Sequence, residues 1–255
     1  MGNVALLLRF LGTSYHGWQL QKEDDTVCRR VMDALARTVG HPVALCGCGR
    51  TDAGVHALRY VANFKAETAI PMDRLPLALN TRLPEDIAVL KAARVPERFN
   101  AIGSLERKEY TYRILNRPHR DPMYLNRAFF YPHRLDREAM KRAARAFVGT
   151  HDFKALQSSG GTVKTTVRTV HYCELLDGPD TIDMRVCANG FLYNMVRAMA
   201  GTLIYAGRGK IDPAEIGDML NACDRRLLGP TAPPGGLYMS GLWYAEGVSA
   251  QWTNA

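Results

Sequence analysis

The sequence predicts an α+β fold of two similar split βαβ (ferredoxin-like) halves with antiparallel sheets. Three observations carry this. Up to Val95, segments of strand and helix character follow in the order strand-helix-strand-strand-helix-strand. A second round of strands and helices begins near Arg107. A chain of 255 residues, 47% hydrophobic and 23% charged, has the make-up of a globular protein of one or two domains. The expected division is 1–104 and 105–255. The halves share an order of elements but no residue-level repeat, so the duplication rests on topology alone.

Val4–Phe10 reads as a strand. Thr26–Val39 reads as a helix, because Val27, Val31, Leu35 and Val39 recur every four residues, with Thr26 or Asp25 available as a cap. Val43–Cys48 and Leu58–Phe64 are two strands around a glycine-rich loop. Pro71–Asn80 is a short helix and Asp86–Val95 a returning strand. In the second half Lys108–Leu115 is a strand, Asp136–Phe147 a helix and Thr165–Leu175 a strand. Ile182, Met184 and Val186 then alternate with Asp183 and Arg185, so one face of that strand is buried. Leu192–Tyr205 is a helix, a short helix follows Asp212-Pro213, and Leu237–Trp243 closes as a strand. Phe99–Leu105 forms the crossover between the halves. The polar run Asn116–Pro122 and the Gly160-Gly161 pair within Gln157–Thr162 mark loops.

The charge balance is 33 basic against 25 acidic residues, a net +8 with a pI near 9.3. That favours a polyanionic partner, since each neutralised phosphate releases counterions. Six cysteines, at 28, 46, 48, 173, 187 and 223, have no framework spacing and fit reduced thiols in the cytoplasm. The N-terminal run lacks a basic segment and a small-residue cleavage site, so it reads as a strand rather than a signal peptide. Phe191–Gly207 is the one membrane-like stretch, but it is short and holds Arg197 and Gly201, so no membrane association is expected.

The most informative stretch is Gly47-Cys48-Gly49-Arg50-Thr51-Asp52-Ala53-Gly54-Val55-His56-Ala57. It sets one carboxylate, Asp52, in a glycine-rich loop two residues after Arg50. The glycines allow a sharp turn close to a bulky ligand. Arg50 suits phosphate or a base stack, and Asp52 near a permanent cation stays ionised and able to attack. Taken alone, Asp52 also suits a helix cap or an Asx-turn. A phosphate-binding P-loop is excluded, because no Gly-Lys-Ser/Thr follows. Cys46, Cys48 and His56 lack the cysteine gap and second ligand pair of a zinc site, so no metal is expected.

Four further segments accompany the loop: Tyr15-His16-Gly17-Trp18-Gln19, Arg107–Tyr112, Phe191-Leu192-Tyr193-Asn194-Met195-Val196-Arg197, and Leu228–Leu237. Together these resemble the tRNA pseudouridine synthase A (TruA) family over nearly the whole chain. The family's Gly-x-Gly-Arg-Thr-Asp-Ala-Gly-Val-His-Ala signature is matched at 47–57 without gaps, its Tyr-x-Gly-Trp-Gln segment at 15–19, and its Phe-Leu-Tyr-Asn/His-Met-Val-Arg segment at 191–197.

The resemblance implies a cofactor-free isomerase that converts uridine to pseudouridine at positions 38, 39 and 40 of the tRNA anticodon stem-loop. It also implies a homodimer and an active-site cleft between the halves. Asp52 would be the catalytic nucleophile, attacking C1′ or the uracil ring, or removing a proton to give a glycal. Arg50 would fill the space left by the flipped base. Arg197, alone in an apolar helix, would pair with Asp52; read without the resemblance it meets a structural acid or snorkels to solvent. Tyr110 would stack on the uracil and relay a proton, and Leu237 would pack the other face of the base. Lys22, Arg29, Arg30, Arg59, Lys108 and Arg168 are expected phosphate contacts.

The chain departs from the family pattern at Phe99-Asn100-Ala101-Ile102-Gly103-Ser104-Leu105, where a His and an Arg are usual, and at Leu11, Cys28 and Cys48. The Asp52, Tyr110 and Arg197 positions are kept. Two other readings compete. A non-catalytic tRNA-binding paralogue would bind without turnover. A carboxylate hydrolase would need a second acid, and the candidate, Glu109, should face away from Tyr110 on its strand.

Overall fold

The structure is a computed structural model that describes residues 2–161 and 163–245. Thr162, at the end of the Gly-Gly connection, lies outside these residues, as do Met1 and the last ten residues of the expected second domain. The fold is mixed α/β. In chain order the elements begin with β1 (Gly2–Phe10), α1 (Val27–Val39), β2 (Leu45–Gly47), β3 (His56–Ala66), α2 (Leu75–Asn80) and β4 (Ile87–Arg94). There follow β5 (Leu105–Leu115), β6 (Phe129–Phe130), α3 (Arg137–Arg145), β7 (Gly149–Asp152), β8 (Val167–Asp177) and β9 (Thr181–Ala188). The described chain ends with α4 (Met195–Gly207), α5 (Ile216–Asn221) and β10 (Leu237–Tyr244). Two compact units form: residues up to Glu106 together with those from Tyr238, and Arg107–Leu237.

In the first unit β1 runs antiparallel between β3 and β4, with Leu6 opposite Ala62 on one side and Ala92 on the other. A strand paired on both edges in a sheet's interior favours an unbroken apolar run, and Val4–Leu8 are at most 1% exposed. β2 pairs β3 antiparallel through Leu45, Cys46 and Gly47, shorter than the expected Val43–Cys48, although the Cys48 N–H still donates to Val61 O at 2.9 Å. β3 starts two residues earlier than its apolar pattern, at His56. The reason is tertiary: Tyr238 and Met239 of β10 pair in parallel with His56 and Ala57. Helix α1 buries Val27, Cys28, Val31, Ala34 and Leu35. Burying Val27, Val31 and Leu35 contributes about 1.5–3 kcal/mol each. The Thr26 side chain accepts from the Arg29 N–H at 3.3 Å as its N-cap, and Gly40 closes it through an N–H donated to Ala36 O at 3.0 Å.

The divergent crossover folds on itself. Asn100 Oδ1 accepts from the Ile102 and Gly103 N–H groups at 3.1 and 2.8 Å, and the Ser104 N–H donates to Asn100 O at 2.9 Å. Asn3 and Asn63 then anchor it, by Asn3 Nδ2 donating to Phe99 O at 2.9 Å and the Ala101 N–H to Asn63 Oδ1 at 2.8 Å. Asn100 therefore supplies locally the polar partners this turn needs.

In the second unit the strand order is β5-β9-β8-β7, antiparallel throughout, with β6 added in parallel to the end of β5. Tyr112 lies opposite Met184 and Ile114 opposite Ile182, and all four are buried. Helix α4 is buried almost all round, which is why its sequence reads as a continuous apolar run. It is 13 residues long, and among the described residues no helix is long and apolar enough to cross a membrane. It begins at Met195 rather than Leu192, because Asn194 takes a left-handed conformation with φ 61°.

All six cysteines are free. Burial pushes the Cys28 thiol up to about 11 and the Cys173 thiol to about 12. Both should resist alkylation by iodoacetamide at neutral pH until the protein unfolds, and modification of either in the native protein would contradict this. The same shifts make stability fall with rising pH. Above the ordinary thiol value of 9.0 the unfolded chain loses these protons first, so stability drops progressively up to about 11 for Cys28 and about 12 for Cys173, as urea titration across that window can measure.

Candidate active site

The loop between β2 and β3 carries Asp52 and is held at four points within the first unit. At its start, the Tyr60 hydroxyl donates to Gly49 O. In the middle, the Trp18 N–H donates to Thr51 O at 3.3 Å. Beyond Asp52, the Gly54 N–H donates to Tyr15 O at 3.3 Å. At its end, buried His56 accepts the Gly12 N–H on Nδ1 at 2.9 Å, which leaves the proton of a neutral ring on Nε2. The turn itself closes with the Val55 N–H on Asp52 O at 3.1 Å, around Gly54 at φ 78°.

The Tyr15–Gln19 segment is thus the brace of the Asp52 loop. Trp18 stacks on Tyr60 with centroids 4.1 Å apart, and Phe10 packs against Tyr60 at 5.5 Å. Tyr15 is in turn fixed by its hydroxyl, which donates to Asp86 Oδ1 at 2.5 Å. Burial, then the Asp86 carboxylate, raise the Tyr15 phenol well above its ordinary range, so it stays a proton donor. A Cβ on Gly17 would overlap the Thr51 carbonyl, and its φ is +80°. Only glycine lets the brace lie this close. Asp52 is half-buried, whereas Arg50 projects into solvent with no side-chain partner among the described residues.

The second unit gathers the other expected residues. Tyr110, on β5, is nearly buried and meets the edge of Phe191 at 5.2 Å and 85°. Two residues along the same strand, the Tyr112 hydroxyl donates to Pro233 O at 2.8 Å, pinning the segment that leads to buried Leu237. Burial raises the Tyr112 phenol far above its ordinary range, partly offset by the Arg197 charge. Arg197 Nε donates to Ala232 O at 2.8 Å, while the Ala232 N–H returns to Arg197 O at 3.0 Å. Tyr110, Arg197 and Leu237, separated by up to 127 residues, are therefore linked through β5, α4 and the 228–237 segment.

Glu109 lies on the other face of β5. Arg185 Nη2 donates to it at 2.6 Å and the Tyr172 hydroxyl donates to the same oxygen, so it is committed to an ion-paired network. That removes the second acid of the hydrolase reading. Several expected phosphate contacts are engaged structurally. Arg30 pairs with Asp25 at 2.6 Å, Arg29 donates to the Gln21 and Lys22 carbonyls, and Arg168 donates to Thr165 O and Val167 O at 2.8 and 2.7 Å. Sequence reading missed the roles of Tyr60, His56 and Asn194. For Tyr60 and His56 the available signal was a polar tip in an otherwise apolar strand, which must find a partner once buried.

Comparison with known proteins identifies the family. A family model described as tRNA pseudouridine synthase matches residues 7–102 and 143–244. The tRNA pseudouridine synthase A of Thermoanaerobacter sp. (strain X514) is 46% identical over 244 residues, covering 96% of this chain and all of that protein. That of Ruminiclostridium cellulolyticum is 42% identical over 245 residues, and tRNA pseudouridine synthase A 2 of Clostridium perfringens 41% over 244, each at the same coverage. A chain of a Cbf5-Nop10-Gar1 complex superposes with a TM-score of 0.39 at 14% identity over 92% of this chain and 48% of that one, too slight a likeness to inform the fold. The chain belongs to the tRNA pseudouridine synthase family, isomerases that convert uridine to pseudouridine in tRNA.

Proposed function

We propose that this chain makes pseudouridine in the anticodon arm of tRNA, at positions 38, 39 and 40, with Asp52 as nucleophile. The observation that carries the reading is the Asp52 loop, clamped at Gly49, Thr51, Gly54 and His56 while Arg50 stays exposed. A carboxylate held on a rigid turn is preorganised to attack, and a free guanidinium beside it suits the gap left by an extruded base.

The reaction breaks the N1–C1′ bond and joins C5 to C1′. C5 gives up a proton and N1 takes one, so no oxidant or cofactor is required. Tyr110 is the group we assign to stacking on the uracil and taking the C5 proton, Leu237 packs the base, and Arg197 steadies the nucleophile's charge. A homodimer acting in the cytoplasm belongs to the same reading, as do two ferredoxin-like halves dividing near residue 104. The sheet orders β4-β1-β3-β2 and β5-β9-β8-β7 support the halves.

The test is tritium release from tRNA transcripts labelled at uracil C5. Release should fall as uridines 38, 39 and 40 are replaced by cytidine. Release indifferent to those replacements would overturn the anticodon-arm assignment, and binding without release would favour the non-catalytic paralogue. Tyr110→Phe should keep tRNA binding and lose turnover by about 10²-fold or more; normal turnover would refute its proton-transfer role.

A further inference from the structure

Asn194 stands directly before α4 at φ 61°, ψ 6°. The left-handed conformation is strained for a non-glycine residue, and asparagine usually offsets that with local hydrogen bonds. At a helix start those bonds would ordinarily cap the first turn. Here the side chain caps nothing. Its Oδ1 instead accepts from Arg197 Nη1 at 2.7 Å, and its Nδ2 donates to Ser158 Oγ at 3.0 Å. The Ser158 N–H donates to Tyr193 O at 3.1 Å, so the base of the glycine-containing loop is stitched to the same turn.

We propose that Asn194 is a positioning residue for the isomerisation, braced by Ser158 and aiming the Arg197 guanidinium. The inference rests on the assignment of Arg197 to the site made above. With Nε held by Ala232 O and Nη1 by Asn194, both ends of the planar guanidinium are fixed. The left-handed backbone is what turns the Asn194 amide across the helix start toward position 197 instead of onto the helix N–H groups. A fixed guanidinium keeps a developing charge compensated without reorganisation, and loosening such a group by about 1 Å typically costs 10²-fold in rate.

Asn194→Gly separates the amide from the backbone, since glycine adopts φ 61° without strain. Steady-state tritium release should fall roughly 10–100-fold in kcat, with KM for tRNA and thermal midpoint little changed. In an Arg197→Ala background the same substitution should cost nothing further, because its effect runs through that side chain. Full kcat in Asn194→Gly, or losses that multiply in the double variant, would overturn the proposal. Full turnover by Arg197→Ala alone would instead remove the underlying site assignment, and the two failures are read from different proteins. Should Asn194→Gly not fold, Ser158→Ala serves. It should lower kcat by a few-fold, again only when Arg197 is present, and an equal loss without Arg197 would overturn the relay.

Discussion

Asp52→Asn should abolish tritium release from C5-labelled tRNA, by roughly 10⁴-fold or more, while tRNA binding stays within about twofold of wild type. The substitution keeps the shape of the side chain and removes its charge. The loop's attachments run through other groups, namely the Gly49 and Thr51 carbonyls, the Gly54 N–H and the His56 ring. Those attachments survive the substitution, so the loop should keep its backbone position. Turnover within tenfold of wild type would rule out Asp52 as nucleophile. Loss of activity together with loss of tRNA binding would point to a structural carboxylate instead.

Gly17→Ala should be a strongly damaging single-methyl change in the first unit. Its Cβ would overlap the Thr51 carbonyl, the neighbour is backbone, and φ is +80°. Overpacking and left-handed strain together cost about 2–4 kcal/mol, a fall of roughly 5–10 °C in midpoint for a protein of this size. Relief requires the Tyr15–Trp18 brace to move off the loop, so kcat should fall as well. Gly40→Ala is the control. Its φ is +84°, but nothing lies within 4 Å of the added methyl, so only about 1 kcal/mol is expected and no loss of activity. Equal effects of the two substitutions would show that backbone strain alone, and not contact with Thr51, governs the brace.

Local patterns in the chain were enough to place most elements. The four-residue recurrence of Val27, Val31 and Leu35 marked α1, and Thr26 caps it as its side chain allows. Alternation along 182–186 marked β9, and the predicted burial of Ile182, Met184 and Val186 holds. These readings work because period, capping and turn preference are properties of neighbouring residues. The Asp52 loop was legible for the same reason, since its glycines, arginine and aspartate are contiguous. Glu109 could also be read, because adjacent residues on a strand face opposite ways.

What the chain alone determined, then, was the order of elements, the glycine-rich motif around Asp52 and the family likeness. The tertiary structure alone decided what those motifs touch. Periodicity says that a face is buried, not against what. That Tyr15 and Trp18 brace Asp52, and that Tyr60 reaches Gly49, depends on β1 and β3 pairing in one register. The return of β10 to pair with β3 in parallel joins residues about 180 positions apart, a contact no local window contains. The left-handed turn at Asn194 was hidden for a similar reason. An apolar helix pattern runs straight through it, and only the hydrogen bonds to Ser158 and Arg197 make the unusual conformation worth adopting.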